Sequence, residues 1–222
     1  QKIGLDEVLR LVKLETIANK VKTYKINRDA IAGPSLPPDA IYTAPEGGLR
    51  YEQWLATNVF EQKQAGFYGV YVKVRVGDIK TDRARKLVAG IRHLVADELR
   101  ITQNQGLLLK YVRKNALPAL YAALKAVDLA DPGFDSVADV TTCPGTDTCN
   151  LGISNSMTFA AVLEKVICSE YEEFIFNRDI KIKISGCMNS CGQHGLAHIG
   201  FHGSSLKAGA RVLPSMQVLL GG

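Results

Sequence analysis

The chain has no apolar run approaching the ~20 residues that a membrane-spanning helix needs. Its N-terminus, Gln1-Lys2-Ile3-Gly4, lacks the apolar segment of a secretory signal. These two absences lead us to expect a soluble, cytoplasmic protein. There is also no run of five or more Lys or Arg, so the net charge of +5 over 222 residues is thinly spread. A dedicated nucleic-acid surface shows clustering instead. A dispersed positive balance attracts anions: a carboxylate-bearing cofactor, an oxyanion substrate or an acidic protein partner. The sequence starts without Met and stops on Gly221-Gly222 just behind an apolar run, which reads as a piece of a longer polypeptide.

Cysteines are few and odd in number, five in all. That argues against a disulfide scaffold and for thiols that bind metal or react. Hydrophobic residues are plentiful at 46%, against 22% charged. Such a chain can bury the core of one large domain or two small ones, and intrinsic disorder is excluded.

Residues 5–23 place Leu5, Val8, Leu9, Val12, Ile17 and Val21 near helical spacing, which predicts an amphipathic helix. The Pro/Gly-dense stretch 27–49 reads as an extended linker, and Leu49 to Gln62, with Trp54, as a short helix. From Phe67 the apolar residues Val70, Val72, Val74 and Val76 alternate with Tyr71, Lys73 and Arg75, which predicts a strand ended by Gly77-Asp78. Thr81 is placed to cap a helix through Leu87, Val88, Ile91 and Leu94-Val95. Strands at Leu99–Thr102 and Leu107–Val112 follow, joined by the turn Gln103-Asn104-Gln105-Gly106. A helix from Lys114 to Val127 carries Leu117, Leu120, Tyr121 and Leu124 on one side, and Val137–Thr142 supplies a last strand. The order β-α-β-β-α-β is the split βαβ, ferredoxin-like arrangement. The expected fold class is thus α+β: residues 1–49 a helix and linker, residues 50–135 a ferredoxin-like half-domain, and residues 136–222 an α/β domain, incomplete at its C-terminal end.

Four cysteines fall as two pairs, Cys143/Cys149 and Cys187/Cys191, a C-x5-C followed after a long gap by a C-x3-C. Between them lie a predicted helix (Thr158–Ile167) and strand (Ile180–Ile184). Cys168 stands alone in an apolar context and reads as an ordinary buried thiol. Structural zinc favours two to four residues between paired ligands, which the five-residue gap fits poorly. An iron–sulfur cubane is wider and takes thiolates from loops of varied length. The loops here are rich in Gly, Ser, Thr and Asn. Small side chains leave room for a cluster while backbone N–H groups point at its sulfurs. His194, His198 and His202 are spaced by four, but interleaved Gly192, Gly195, Gly200 and Gly203 argue against a helix, so they read as structural histidines.

Thr142 to Gly152 and Ser185 to Gly192 closely resemble the two cysteine motifs of the sirohaem-containing nitrite and sulfite reductases. Tyr68 to Val112, with Arg100-Ile101-Thr102-Gln103-Asn104-Gln105, is similar to the ferredoxin-like half-domain that precedes those motifs. The resemblance covers roughly residues 50–222 and implies the C-terminal half of such an enzyme, whose partner would be the N-terminal half of the same polypeptide. It implies that Cys143, Cys149, Cys187 and Cys191 ligate a [4Fe–4S] cluster. Cys191 would also be the axial ligand of the sirohaem iron, with Asn189 and Ser190 against the macrocycle. A small oxyanion, sulfite or nitrite, would be the substrate, and ferredoxin or a flavoprotein the electron donor.

This sequence departs from the family pattern at Met188, where Pro is usual, and at His198, where an acidic residue is usual. No stretch matches the Arg and Lys motifs that grip the oxyanion in the first half of the family enzyme, so no catalytic residue is assigned. Arg100 would serve the vestigial pocket of a second half or plain structure. The alternatives are an iron–sulfur electron-transfer module without sirohaem, and a non-enzymatic metal or nucleic-acid module. The latter would need basic and aromatic residues on one sheet face, which Tyr71, Lys73 and Arg75 offer weakly. The piece alone is expected to be inactive. The redox reading requires the two cysteine loops to converge.

Overall fold

A computed structural model describes residues 4–18, 48–96 and 98–221. The chain divides into two units, residues 1–31 and 32–222. In the first unit the described element is helix α1 (Leu5–Ala18), on which Leu5, Leu9 and Val12 are exposed. The rest of the expected 5–23 helix and nearly all of the expected 27–49 linker lie outside the described residues. Among the described residues, no helix is long and apolar enough to cross a membrane.

The second unit carries two sheets. The first comprises β1 (Val59–Glu61), β2 (Phe67–Val72), β3 (Leu99–Ile101) and β4 (Leu107–Arg113), in the order β1-β2-β4-β3 with every pairing antiparallel. Helices α2 (Leu49–Asn58), α3 (Thr81–Ile91) and α4 (Leu117–Lys125) complete this half-domain. The period-two pattern buries Val70 and Val72 on the face shared with Leu109 and Val112. Leu117, Leu120, Tyr121 and Leu124 recur at helical spacing and meet Leu87, Ile91 and Trp54 in the same core. Tyr121 packs edge-on to Tyr51 and tilted against Trp54, with centroids 4.9 and 5.2 Å away.

Several expected elements differ. The Leu49–Gln62 helix stops at Asn58, and Val59–Glu61 becomes edge strand β1. Asn58 ends the helix because its buried amide donates to the carbonyls of Tyr71 and Asp131. Phe60 of β1 lies over Gly69 of β2, where a Cβ would sit 2.2 Å from the ring; glycine is what admits that ring. The strand expected to run to Val76 ends at Val72, because Lys73 turns inward and is buried rather than joining an outer face. Tyr71, Lys73 and Arg75 therefore do not form the basic–aromatic face a nucleic-acid module would need. Helix α3 ends at Ile91, and Val88 is exposed. Lys80, not Thr81, occupies the cap position of α3 and makes no side-chain bond there.

The second sheet has the order β5-β6-β7-β8: β5 (Thr141–Thr142), β6 (Ile182–Ser185), β7 (Ile199–Ala208) and β8 (Arg211–Leu220). The first three strands are parallel, and β8 closes an antiparallel hairpin on β7. The strand expected at Val137–Thr142 is only two residues long and pairs with β6 in this second sheet. The edge position in the first sheet is filled by β1 instead. Helix α5 (Ser156–Glu170) packs on this sheet through Ala160 and Ile167, and Asn155 caps it by accepting the Thr158 N–H at 2.9 Å. Cys168, expected to be buried, is exposed, because it follows Ile167 onto the solvent side of α5.

Candidate metal centre

The first cysteine motif leaves the C-terminal end of β5 and the second leaves the end of its parallel neighbour β6. Crevices outside the carboxyl ends of parallel strands are where open α/β sheets place ligands. Pairing continues past β5, with the Cys143 N–H donating to the Ile184 carbonyl at 3.2 Å. The chain then makes a tight turn at Gly145–Asp147, and the Cys149 N–H returns to the Gly145 carbonyl at 3.0 Å. In the second motif, the Gly186 N–H donates to the Sγ of Cys143 at 3.1 Å. The Gly186 carbonyl accepts from Ile153 and Ser154 at 2.8 and 3.0 Å. The two loops are thus stitched together through both the N–H and the carbonyl of one residue, Gly186. This brings the Cys143 end of the first motif against the Gly186 end of the second.

Glycine makes the approach possible. A Cβ on Gly186 would lie 2.5 Å from the Gly145 Cα, and one on Gly192 would lie 1.8 Å from the Ile184 carbonyl oxygen. Serines complete the frame. Ser156 Oγ donates to the Cys143 carbonyl at 2.7 Å and lies 3.6 Å from its Sγ. Ser185 Oγ accepts the Gly192 N–H at 3.0 Å.

Cys143 and Cys187 are buried, Cys149 is half-buried and Cys191 is exposed. Asn189 is exposed and Ser190 half-buried, the latter with a left-handed backbone at φ 64°. Exposed apolar side chains flank both motifs: Leu151 in the first, Met188 and Leu196 in the second. Among the described residues, no three His, Cys, Asp or Glu converge on a single-ion site. Four thiols on a glycine- and serine-rich frame, with an N–H aimed at a sulfur, fit the donor chemistry of a wider iron–sulfur cluster.

The three histidines do not share a helix. His194 lies in a single 3₁₀ turn, His198 precedes β7, and His202 is on β7. The His194 and His202 rings are 4.9 Å apart. Burial, and then His202, hold His194 below its ordinary pKa. His198 Nδ1 accepts the Lys181 N–H at 3.0 Å, a structural bond. Arg100 pairs with Glu98 at 3.5 Å and lines a groove with Asn104, Phe134 and Arg178 that includes none of the cysteines.

Two supports were not read from the sequence. Gln105, assigned only to a hairpin turn, clamps the backbone of Thr142. Its Nε2 donates to the carbonyl at 2.6 Å and its Oε1 accepts the N–H at 3.1 Å. This ties the half-domain to the residue before Cys143. The second is a buried charge cluster. Lys73 Nζ donates to the Ala138 carbonyl and lies 3.6 Å from Glu164, which accepts the Val140 N–H at 3.0 Å. Nearby, burial pushes the Asp139 carboxyl up to about 6, with Lys73 opposing. Lys73 sits at a polar position in the β pattern and Glu164 within an amphipathic helix, so neither carries a local signal of burial.

Comparison with known proteins bears on this geometry. Residues 60–127 match the family model described as the nitrite/sulfite reductase ferredoxin-like half domain. Residues 133–222 match that of the nitrite and sulphite reductase 4Fe-4S domain. The chain is 26% identical over 164 residues to a ferredoxin–nitrite reductase of Synechococcus elongatus, covering 74% of this chain and 31% of that relative. It is 27% identical over 126 residues to the sulfite reductase [NADPH] hemoprotein beta-component of Bacillus subtilis, covering 54% and 22%. Among solved structures, the Mycobacterium tuberculosis NirA protein superposes with a TM-score of 0.66 at 25% identity, over 75% of this chain and 31% of that one. The chain spans about a third of the length of these relatives or less.

Proposed function

We propose, on the premise that this chain belongs to the nitrite/sulfite reductase family, that it is the C-terminal half of an enzyme carrying out the six-electron reduction of sulfite or nitrite. Cys143, Cys149, Cys187 and Cys191 hold a [4Fe–4S] cluster. Cys191 would also hold the sirohaem, together with Asn189 and Ser190. When bound, the two groups supply the repeated single-electron delivery that such a reduction needs. The observation that carries the proposal is the Gly186 N–H to Cys143 Sγ bond, which joins the two motifs at one locus.

The chain's own residues have distinct parts in this reading. The Gly186 N–H stabilises negative charge on the Cys143 sulfur, which favours the reduced cluster and raises its potential. Buried Cys143 and Cys187 keep water from one side of the site. Exposed Cys191 leaves its sulfur open to a second group. Exposed Met188, Leu196 and Leu151 offer apolar cover of the kind a macrocycle needs. The side chains that grip the oxyanion come from the N-terminal half of the polypeptide. The net charge of +5 suits an acidic ferredoxin as donor, with a flavoprotein as the other choice.

Anaerobic reconstitution of the 222-residue chain tests this. Iron and sulfide should give a broad visible shoulder, and added sirohaem should give a Soret and a red band that survive desalting. A cluster with no retained tetrapyrrole would leave an iron–sulfur electron-transfer module. Failure to build any cluster would sink the proposal. The chain by itself is expected to reduce neither anion.

A further inference from the structure

A cavity of about 450 Å³ lies on the helical side of the half-domain, apart from the cysteine loops. Its charged lining is uneven. Arg50, Arg75, Arg83 and Lys125 face Asp128 and Asp131, an excess of two positive charges. Asp131 accepts Arg50 on one carboxylate oxygen and Arg75 on the other, the latter at 2.8 Å. One acid thereby holds two guanidiniums side by side. Arg83 reaches Asp128 only at 3.5 Å, and that carboxylate is largely exposed, so the pair neutralises little. Lys125 is exposed and has no side-chain partner among the described residues.

The arrangement is built, not incidental. Arg75 is aimed by a tight turn in which Gly77 N–H donates to the Val74 carbonyl at 3.0 Å, and Val76 adopts φ 51°. A β-branched residue in the left-handed region is a genuine outlier that the surrounding structure must hold in place. Such strain clusters at ligand clamps. The cations come from separate elements: Arg50 from the start of α2, Arg75 from the turn after β2, Arg83 from α3 and Lys125 from the end of α4. Converging guanidinium forks match the oxygens of a tetrahedral dianion, which would balance the excess charge. The volume is far larger than one such anion and leaves room for an organic group beside the cations.

We infer that this cavity binds a phosphate monoester, with the phosphate on Arg50, Arg75, Arg83 and Lys125 and its organic part in the volume that the phosphate leaves unfilled. It is a site separate from the proposed redox centre and does not depend on it. The test is thermal unfolding of the 222-residue chain in increasing phenyl phosphate, at ionic strength held constant with NaCl. The melting temperature should rise with ligand concentration, at lower concentrations than inorganic phosphate requires. In Arg83→Gln/Lys125→Ala the apparent affinity should weaken by about tenfold or more, with an unchanged circular dichroism spectrum. Should the double variant misfold, Lys125→Ala alone, on an exposed helix surface, gives the same reading. No rise beyond the NaCl control, equal affinity for inorganic phosphate, or undiminished affinity in the variants would overturn the inference.

Discussion

The backbone N–H of Gly186 points at the sulfur of Cys143 across 3.1 Å, joining residues 43 positions apart in the chain. That contact exists because β5 and β6 run parallel and release their loops at the same end of the sheet. Its tightness makes it fragile. In Gly186→Ala the new methyl would meet the Gly145 Cα at 2.5 Å and the Ser154 carbonyl at 2.9 Å. We expect a loss of about 2–3 kcal/mol in urea unfolding and much less iron bound after reconstitution. Gly48→Ala, with nothing within 4 Å of its Cβ, should leave both unchanged.

The five cysteines should divide four to one. Ser substitution at Cys143, Cys149, Cys187 or Cys191 is expected to lower iron and sulfide content after reconstitution. Cys168→Ser should not, since that thiol lies exposed on α5. Metal analysis of the five variants reads the outcome directly. Iron loss in Cys168→Ser equal to that in the others would contradict the ligand assignment.

The Asp139 carboxyl, pushed up to about 6 chiefly by burial, titrates above its ordinary 3.8. Between these values the folded chain holds a proton that the unfolded chain has released. The stability tied to that proton is therefore complete below 3.8 and is lost as pH rises through about 6. Asp139→Asn, whose amide oxygen can still accept the Asp135 N–H, should raise stability by about 1–2 kcal/mol at pH 7.5 and by almost nothing near pH 4. Urea midpoints at the two pH values check this. An equal effect at both would contradict it.

Lys73 and Glu164 are 6% and 8% exposed at 3.6 Å separation. Removing one partner leaves a buried charge behind, so Lys73→Met should cost about 3–5 kcal/mol, and Lys73→Met/Glu164→Leu should recover most of that loss. A double variant no better than the single one would mean that the carbonyl bond from Lys73 to Ala138, not the pair, carries the effect.

Much of the half-domain was legible because its signals are local. Leu117, Leu120, Tyr121 and Leu124 mark a helix face by spacing alone, and Val70 and Val72 mark a strand. The same logic failed at Val59–Glu61, where three residues too few to show a period were absorbed into the preceding helix. It failed again at Val137–Thr142, because which sheet a strand joins depends on its partner, and Thr141 found Lys183. Lys73 reads as an outward residue in any alternation, yet the chain bends after Val72 and buries it against Glu164.

By itself the sequence determined the chemistry available: four thiols in two small-residue loops, and helices and strands whose apolar faces had to be covered. Only the tertiary structure decided that Gly186 meets Cys143, that Gln105 clamps Thr142, and that arginines from separate elements share Asp131. The physical reason is range. Periodicity and turn propensity act over a few residues, whereas these contacts join positions tens of residues apart, and they form only after the sheets have assembled.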